Sequence, residues 1–195
     1  MHDDDHHWLK HGSTSSGEVR EVYDAWAEDY DETLQGWDYR APAQAAEMLR
    51  AAIPADAVVF DAGCGTGLTG LALRAAGFTG LIDGVDLSPV SLREAEKHGV
   101  YRSLVEADLQ ALPLPIRDNT YDALLCVGVL TYVPDSEAIL REFARLVRPG
   151  GHVLITQRED LFEERGYRAL FDTIRDVISG VTISEPRLYL CLLYT

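Results

Sequence analysis

Five apolar runs constrain the chain most: AVVFDA (57–62), GLIDGVDL (80–87), SLVEAD (103–108), YDALLCVGVL (121–130) and HVLITQR (152–158). None shows clean polar alternation, as expected of strands buried on both faces, and such strands belong to parallel sheets covered by helices on each side. Helical patterns separate most of them. Residues 66–76 place Leu68, Leu71, Ala72 and Ala75 on one face and end at Gly77. Residues 88–98 open with Ser88-Pro89 and end at Gly99, and residues 136–147 point Ile139, Leu140, Phe143, Leu146 and Val147 inward before RPGG breaks the helix. This alternation predicts a doubly wound α/β fold, whose ligands sit beyond the carboxyl ends of the strands.

Upstream of Pro54 the period is helical throughout. Val19, Val22, Tyr23, Trp26 and Tyr30 recur at helical spacing, and after GWDYRAP a second helix opens with Pro42 in its first turn. That helix stripes Ala45, Met48, Leu49, Ala52 and Ile53 down one side. Tyr23, Trp26 and Tyr30 lie on one face of the first helix. With Trp37 and Tyr39 they either pack it onto the domain or roof a site, where aromatic faces stabilise a cation and exclude water. The expected organisation is a polar His/Asp-rich leader at 1–18 and a single domain at 19–195. Within that domain residues 19–40 form a lid segment, 57–158 the ligand-binding core and 167–195 a C-terminal helix and hairpin, with VTISEPRLYLCLLYT as the hairpin.

Charge narrows the partners. Seventeen basic against 32 acidic side chains give a net charge of −15, too acidic for a general nucleic-acid binder or for docking on anionic membranes. No run approaches the roughly 18 apolar residues of a membrane span, and the acidic N-terminus is unlike a signal peptide. Cys64, Cys126 and Cys191 form no C-x-x-C pair, so no disulfide framework and no metal site is expected. The expected location is cytoplasmic.

The first of the five runs leads into DAGCGTGLTG (61–70), a glycine-rich strand-to-helix turn that contains the dinucleotide spacing G-x-G-x-x-G. Glycines there let a flat ligand approach the backbone. A pyrophosphate seeks helix N-terminal amides, and Asp61, two residues before Gly63, opposes it. A cationic ligand suits that acid better. No tyrosine is followed four positions later by lysine, as a short-chain NAD-dependent oxidoreductase would require.

From about residue 20 to residue 158 the sequence resembles the Rossmann-like S-adenosylmethionine-dependent methyltransferases. Asp61-Ala62-Gly63-Cys64-Gly65-Thr66-Gly67 is similar to the family's first motif, Asp86-Leu87 to the second strand end, and Asp108-Leu109 in EADLQALPL to the third motif. VYDAWAEDYDETL and WDYRAP resemble the N-terminal part of small methyltransferase-like proteins of the Williams–Beuren region type. The resemblance implies a mostly parallel seven-stranded sheet ending in an antiparallel strand, with an N-terminal helical lid. It also implies S-adenosylmethionine as cofactor: glycine backbone and Asp61 about its methionine part, Asp86 on the ribose hydroxyls, Asp108 and Leu109 on the adenine, and Cys126 and Tyr30 nearby. Tyr23, Trp37, Tyr39, Thr131, Tyr132 and Arg158 are candidate substrate contacts. The expected reaction is methyl transfer to a small molecule, less readily to a protein. CVGVLTYV after the fourth strand lacks the Asn/Asp-Pro-Pro-Tyr cluster that resembles enzymes acting on adenine or glutamine. A non-catalytic cofactor-binding module remains the alternative, because the sulfonium chemistry obliges no catalytic side chain.

Overall fold

The computed structural model describes residues 12–187. Helices α1 (Ser16–Gly36) and α2 (Ala41–Ala52) precede the strands and helices β1 (Val59–Ala62), α3 (Leu68–Ala75), β2 (Ile82–Asp86), α4 (Pro89–Lys97) and β3 (Ser103–Glu106). Then follow β4 (Tyr121–Cys126), a 3-10 turn (Leu130–Tyr132), α5 (Ser136–Leu146), β5 (Val147–Ile155), α6 (Glu159–Glu164) and α7 (Tyr167–Thr173). The strand order is β3-β2-β1-β4-β5 with every pair parallel. The order reverses beside β1, so the carboxyl ends of β1, β2 and β4 enclose the crevice where such sheets bind ligands.

Burial on both faces explains the unbroken runs of β1, β2 and β4, whereas β3 and β5, the outer strands, are largely exposed, Val105 and Val153 included, against the expectation for their runs. Along β4, Leu124 and Cys126 join Phe60, Ile139, Phe143 and Leu146 on one side. Ala123 and Leu125 join Val59, Ala45, Leu49 and Leu73 on the other. Alternate residues thus enter two separate cores, and neither face of the strand is left to water. Ile139, Leu140, Phe143 and Leu146 of α5 are buried as expected, as is Val147, which opens β5. α4 starts where the sequence indicates, with the Ser88 hydroxyl accepting from Ser91 N at 3.0 Å.

Several expectations need correction. α1 begins at Ser16, inside the expected leader, whose remaining residues 1–11 lie outside the described ones. On α2 Met48 and Ala52 are exposed, and Ala41, Ala45, Ala46 and Leu49 form the inward face. On α3 the buried positions are Thr69, Gly70 and Leu73 rather than Leu68, Leu71, Ala72 and Ala75. Tyr101 packs on this face, its hydroxyl 2.5 Å from where a Cβ on Gly70 would stand and accepting from Gly70 N, so the bare backbone of Gly70 seats the helix against the ring. β5 takes up RPGG itself: its register against β4 jumps from Tyr121↔Val147 to Ala123↔His152, a bulge that absorbs the turn residues. Among the described residues the sheet has five strands, none antiparallel. Residues 181–187 of the expected hairpin carry no strand, and 188–195 lie outside the described residues.

Candidate cofactor and active site

The loop between β1 and α3 is shaped by glycine conformation. Gly63 (φ +77°) turns its Cα toward Val129, where a Cβ would sit 2.3 Å from a methyl carbon. Gly63 N and Cys64 N both donate to Val85 O at 2.9 Å, tying the loop to β2. Gly65 N donates to Asp86 Oδ2 at 2.8 Å and Ser88 N to Asp86 Oδ1 at 2.9 Å, so the acid at the end of β2 holds the loop in place. Burial pushes the Asp86 carboxyl above its ordinary range, against the pull of backbone N–H groups of Ser88, Gly65 and Leu87. Each carboxylate oxygen still has lone-pair capacity for a further donor.

Behind the loop Asp61 is fully buried. The Tyr101 hydroxyl donates to its Oδ2 at 2.7 Å and itself accepts from Gly70 N at 3.0 Å. Asp61 Oδ1 is buried with no donor. Burial, opposed by the Tyr101 hydrogen bond and aided by the Asp86 charge, pushes the carboxyl up to about 7.

A cavity opens above this loop. Its walls come from the loop (Gly63, Gly65, Thr66), the end of β2 (Asp86, Leu87), the segment after β3 (Ala107, Asp108, Leu109, Gln110) and the segment after β4 (Val127, Gly128, Val129, Tyr132, Val133). Ser91 of α4 and Val19, Tyr23 and Tyr30 of α1 complete it. No Lys, Arg or His is among these lining residues.

α1 is docked over the cavity by polar contacts. Ser88 Oγ donates to Asp24 Oδ1 and Thr66 Oγ1 to Asp31 Oδ1, each at 2.5 Å, and Arg20 pairs with Glu106 at 2.8 Å. The Tyr23 hydroxyl donates to the Tyr132 hydroxyl at 3.0 Å. The Tyr23 and Tyr30 rings are 5.9 Å apart, and Trp26 meets Tyr30 edge-on at 4.8 Å. The aromatic row divides, with Tyr23 and Tyr30 lining the cavity while Trp26 packs on Trp37 at 5.9 Å. Burial, with the neighbouring tyrosines, pushes the Tyr23 and Tyr30 phenols well up, so they stay protonated.

Of the residues singled out in the sequence, Gly63, Gly65, Thr66, Asp86, Leu87, Asp108, Leu109, Tyr23, Tyr30 and Tyr132 meet on the wall. The others lie elsewhere. Cys64 turns its sulfur toward Gly84, Cys126 sits in the core, and burial raises both thiols away from nucleophilic range. Gly67 (φ +99°) packs against α4, where a Cβ would stand 3.2 Å from Ala95 Cα. Trp37 is buried, Tyr39 brings its hydroxyl near Gly128, Thr131 Oγ1 reaches Gln157 at 3.4 Å, and Arg158 pairs with Asp160 at the start of α6. Gln110, Val129 and Val133 were not foreseen, because no local pattern marks loop residues that tertiary packing turns inward.

The wall fits an S-adenosylmethionine-like ligand on its own evidence. It combines a glycine cradle, an acid at the end of β2, a buried acceptor without a donor behind the loop and an aromatic roof. Among the described residues no group of three His, Cys, Asp or Glu could hold a metal, and no helix is long and apolar enough to cross a membrane.

Comparison with known proteins agrees. Residues 60–155 match the methyltransferase domain family. The chain is similar to human methyltransferase-like protein 27, 39% identical over 153 residues that cover 76% of this chain and 61% of that protein. It also resembles a demethylmenaquinone methyltransferase of Bacillus licheniformis, 39% identical over 123 residues, or 61% of this chain and 52% of that protein. The chain thus spans between half and two thirds of the length of these relatives. A solved DhpI-SAH complex superposes with a TM-score of 0.60 at 28% identity, over 77% of this chain and 72% of that one. By fold, glycine loop and matched segment, the chain belongs to the Rossmann-like S-adenosylmethionine-dependent methyltransferases.

Proposed function

We propose that the chain transfers a methyl group from S-adenosylmethionine to a small-molecule nucleophile by in-line displacement. The observation that carries this reading is the cavity itself: glycine loop below, acids at the ends of β2 and β3, tyrosines above and no basic side chain in the lining. When bound, the cofactor supplies an activated methyl on a sulfonium. Gly63 and Gly65 offer it a close backbone approach, and Asp86 has acceptor capacity for the ribose hydroxyls. Asp108 and Leu109 are placed for the adenine. Tyr23, Tyr30 and Tyr132 exclude water and present ring faces to a cation. With these parts the chain contributes mainly orientation, an effect worth up to roughly 7–11 kcal/mol of the barrier.

In this reading 19–40 is the lid segment and 57–158 the cofactor-binding core of one domain spanning 19–195. The charge of −15 favours a small molecule over nucleic acid, and the free thiols of Cys64 and Cys126 suit a reducing cytoplasm. A screen of metabolites with labelled methyl donor tests the proposal, alongside calorimetric titration of the donor and of NAD. Donor binding with label transferred to a metabolite is expected. Tight NAD binding with none for the donor overturns the assignment, and donor binding without transfer to any acceptor favours the non-catalytic module.

A further inference from the structure

The 3-10 turn after β4 is held in an unusual way. A short helical turn ends with carbonyls that have no partner within it, and these normally go to water or to a cap. Here side chains from distant elements reach four successive carbonyls, of which Leu130 O also accepts from Val133 N within the turn at 3.3 Å. Arg165, the residue after α6, donates from Nη1 to Leu130 O at 2.7 Å and to Val133 O at 2.9 Å, and from Nη2 to Thr131 O at 2.8 Å. Gln110 Nε2 donates to Tyr132 O at 3.2 Å and also to Thr14 O, just before α1, at 3.0 Å.

Among the described residues Arg165 makes no ion pair, in a chain with 32 acidic side chains. Its guanidinium is committed to carbonyls. The rigid planar fork spans three of them at once, which the single ammonium of lysine on its flexible stem reproduces poorly. The clamped turn carries Tyr132, whose ring lies 5.8 Å from that of Tyr23 in a T-shaped contact and whose hydroxyl accepts from Tyr23. Val129 and Val133, at either end of the turn, line the cavity with Tyr132.

We infer that Arg165 is a positioning residue for the cofactor site: it fixes the turn so that Tyr132 meets Tyr23 and the α1 lid closes over the cavity. The inference rests on reading that cavity as the S-adenosylmethionine site, but its geometric half stands without ligand. Arg165 is not itself among the lining residues and acts through the turn, where its bond to Val133 O holds one wall residue, with Gln110 holding the fourth carbonyl. This gives the end of α6, which no functional motif marks, a role in shaping the site.

The test has two readouts. In the ligand-free protein, the single and double variants Tyr23→Phe and Tyr132→Phe are compared by melting midpoint, once with Arg165 and once in an Arg165→Met background. Non-additivity is expected with Arg165 and additivity without it. By titration with S-adenosylhomocysteine, Arg165→Met is expected to bind at least tenfold more weakly, with Arg165→Lys in between. Unchanged tyrosine coupling and affinity within twofold of the parent, whatever the loss in melting temperature, would overturn the inference by showing Arg165 to be a structural staple only. If Arg165→Met does not fold, Arg165→Lys carries the same comparison, with partial loss of both readouts supporting the role and no loss of either overturning it. Failure of the parent protein to bind S-adenosylhomocysteine would sink the cofactor reading instead, while the coupling measurement would still decide the positioning role.

Discussion

Asp61 should make the ligand-free protein less stable as the pH rises. Its carboxyl rises from an ordinary 3.8 to about 7 in the folded chain, with burial as the main cause. An acid whose folded value is raised contributes its full stability below the unfolded value and loses it as pH climbs through the folded value. The window therefore runs from about pH 4 to about pH 7. At roughly 1.4 kcal/mol per pH unit, the span from 3.8 to about 7 corresponds to about 4 kcal/mol. Asp61→Asn is neutral throughout. Its amide can still accept from Tyr101, while its NH₂ is buried without an acceptor at a pH-independent cost of about 1–3 kcal/mol. The variant should thus start less stable than the parent at pH 4 and gain on it by about 4 kcal/mol by pH 8. In a domain of this size that swing is roughly 8–16 °C of melting temperature. Thermal melts of both proteins across this range measure it. Taking the difference removes the pH dependence common to both proteins and leaves that of Asp61, including its repulsion with the Asp86 charge. Parallel melting curves from pH 4 to pH 8 would refute the argument and place the Asp61 proton elsewhere.

Three further outcomes are expected. Asp86→Ala removes an acceptor for the loop N–H groups as well as for the ligand and should weaken cofactor binding by about 1.5–3 kcal/mol, read by calorimetry; Asp86→Asn should restore little, because its NH₂ cannot accept. Gly67→Ala forces a left-handed position against Ala95 and should cost roughly 1–3 kcal/mol in urea unfolding, with little change in the ligand affinity of the folded fraction. Hydrogen exchange should show amides of 19–40 gaining more protection from cofactor than those of β1 and β4, with Tyr30→Ala losing more affinity than Tyr30→Phe; equal protection with and without ligand would remove the lid.

What could be read in the sequence depended on how local its cause was. β1, β2 and β4 were legible because burial on both faces leaves the same unbroken apolar signature wherever it occurs. α5 was legible because Ile139, Leu140, Phe143 and Leu146 on its inward face are large and apolar, although Ser136 and Glu142 are buried with them. α3 was not: its inward face is Thr69, Gly70 and Leu73, and Tyr101, which packs on it, lies some thirty residues away. The site divides along the same line. Asp86 and Asp108 stand at strand ends, where the chain must emerge beside the crevice. Gly67 and Cys64 belong to the glycine motif yet face α4 and β2, because a tight loop presents only some of its residues to one side. Arg165 and Gln110 act across distances that no periodicity records. The aromatic row was undecidable because its helix serves two partners, with Tyr23 and Tyr30 toward the cavity and Trp26 toward Trp37.

The cavity wall holds carboxyl groups and tyrosine faces but no basic side chain, and that imbalance bears on turnover as well as on recognition. Methyl transfer turns a sulfonium into a neutral thioether, so the spent ligand carries one positive charge fewer than the fresh one. An acidic, partly desolvated wall favours the more positive of the two, since charge interactions weigh more there than in water. On the proposed reading, the side chains that gather the donor would hold its remnant less firmly, and S-adenosylhomocysteine is expected to bind more weakly than S-adenosylmethionine.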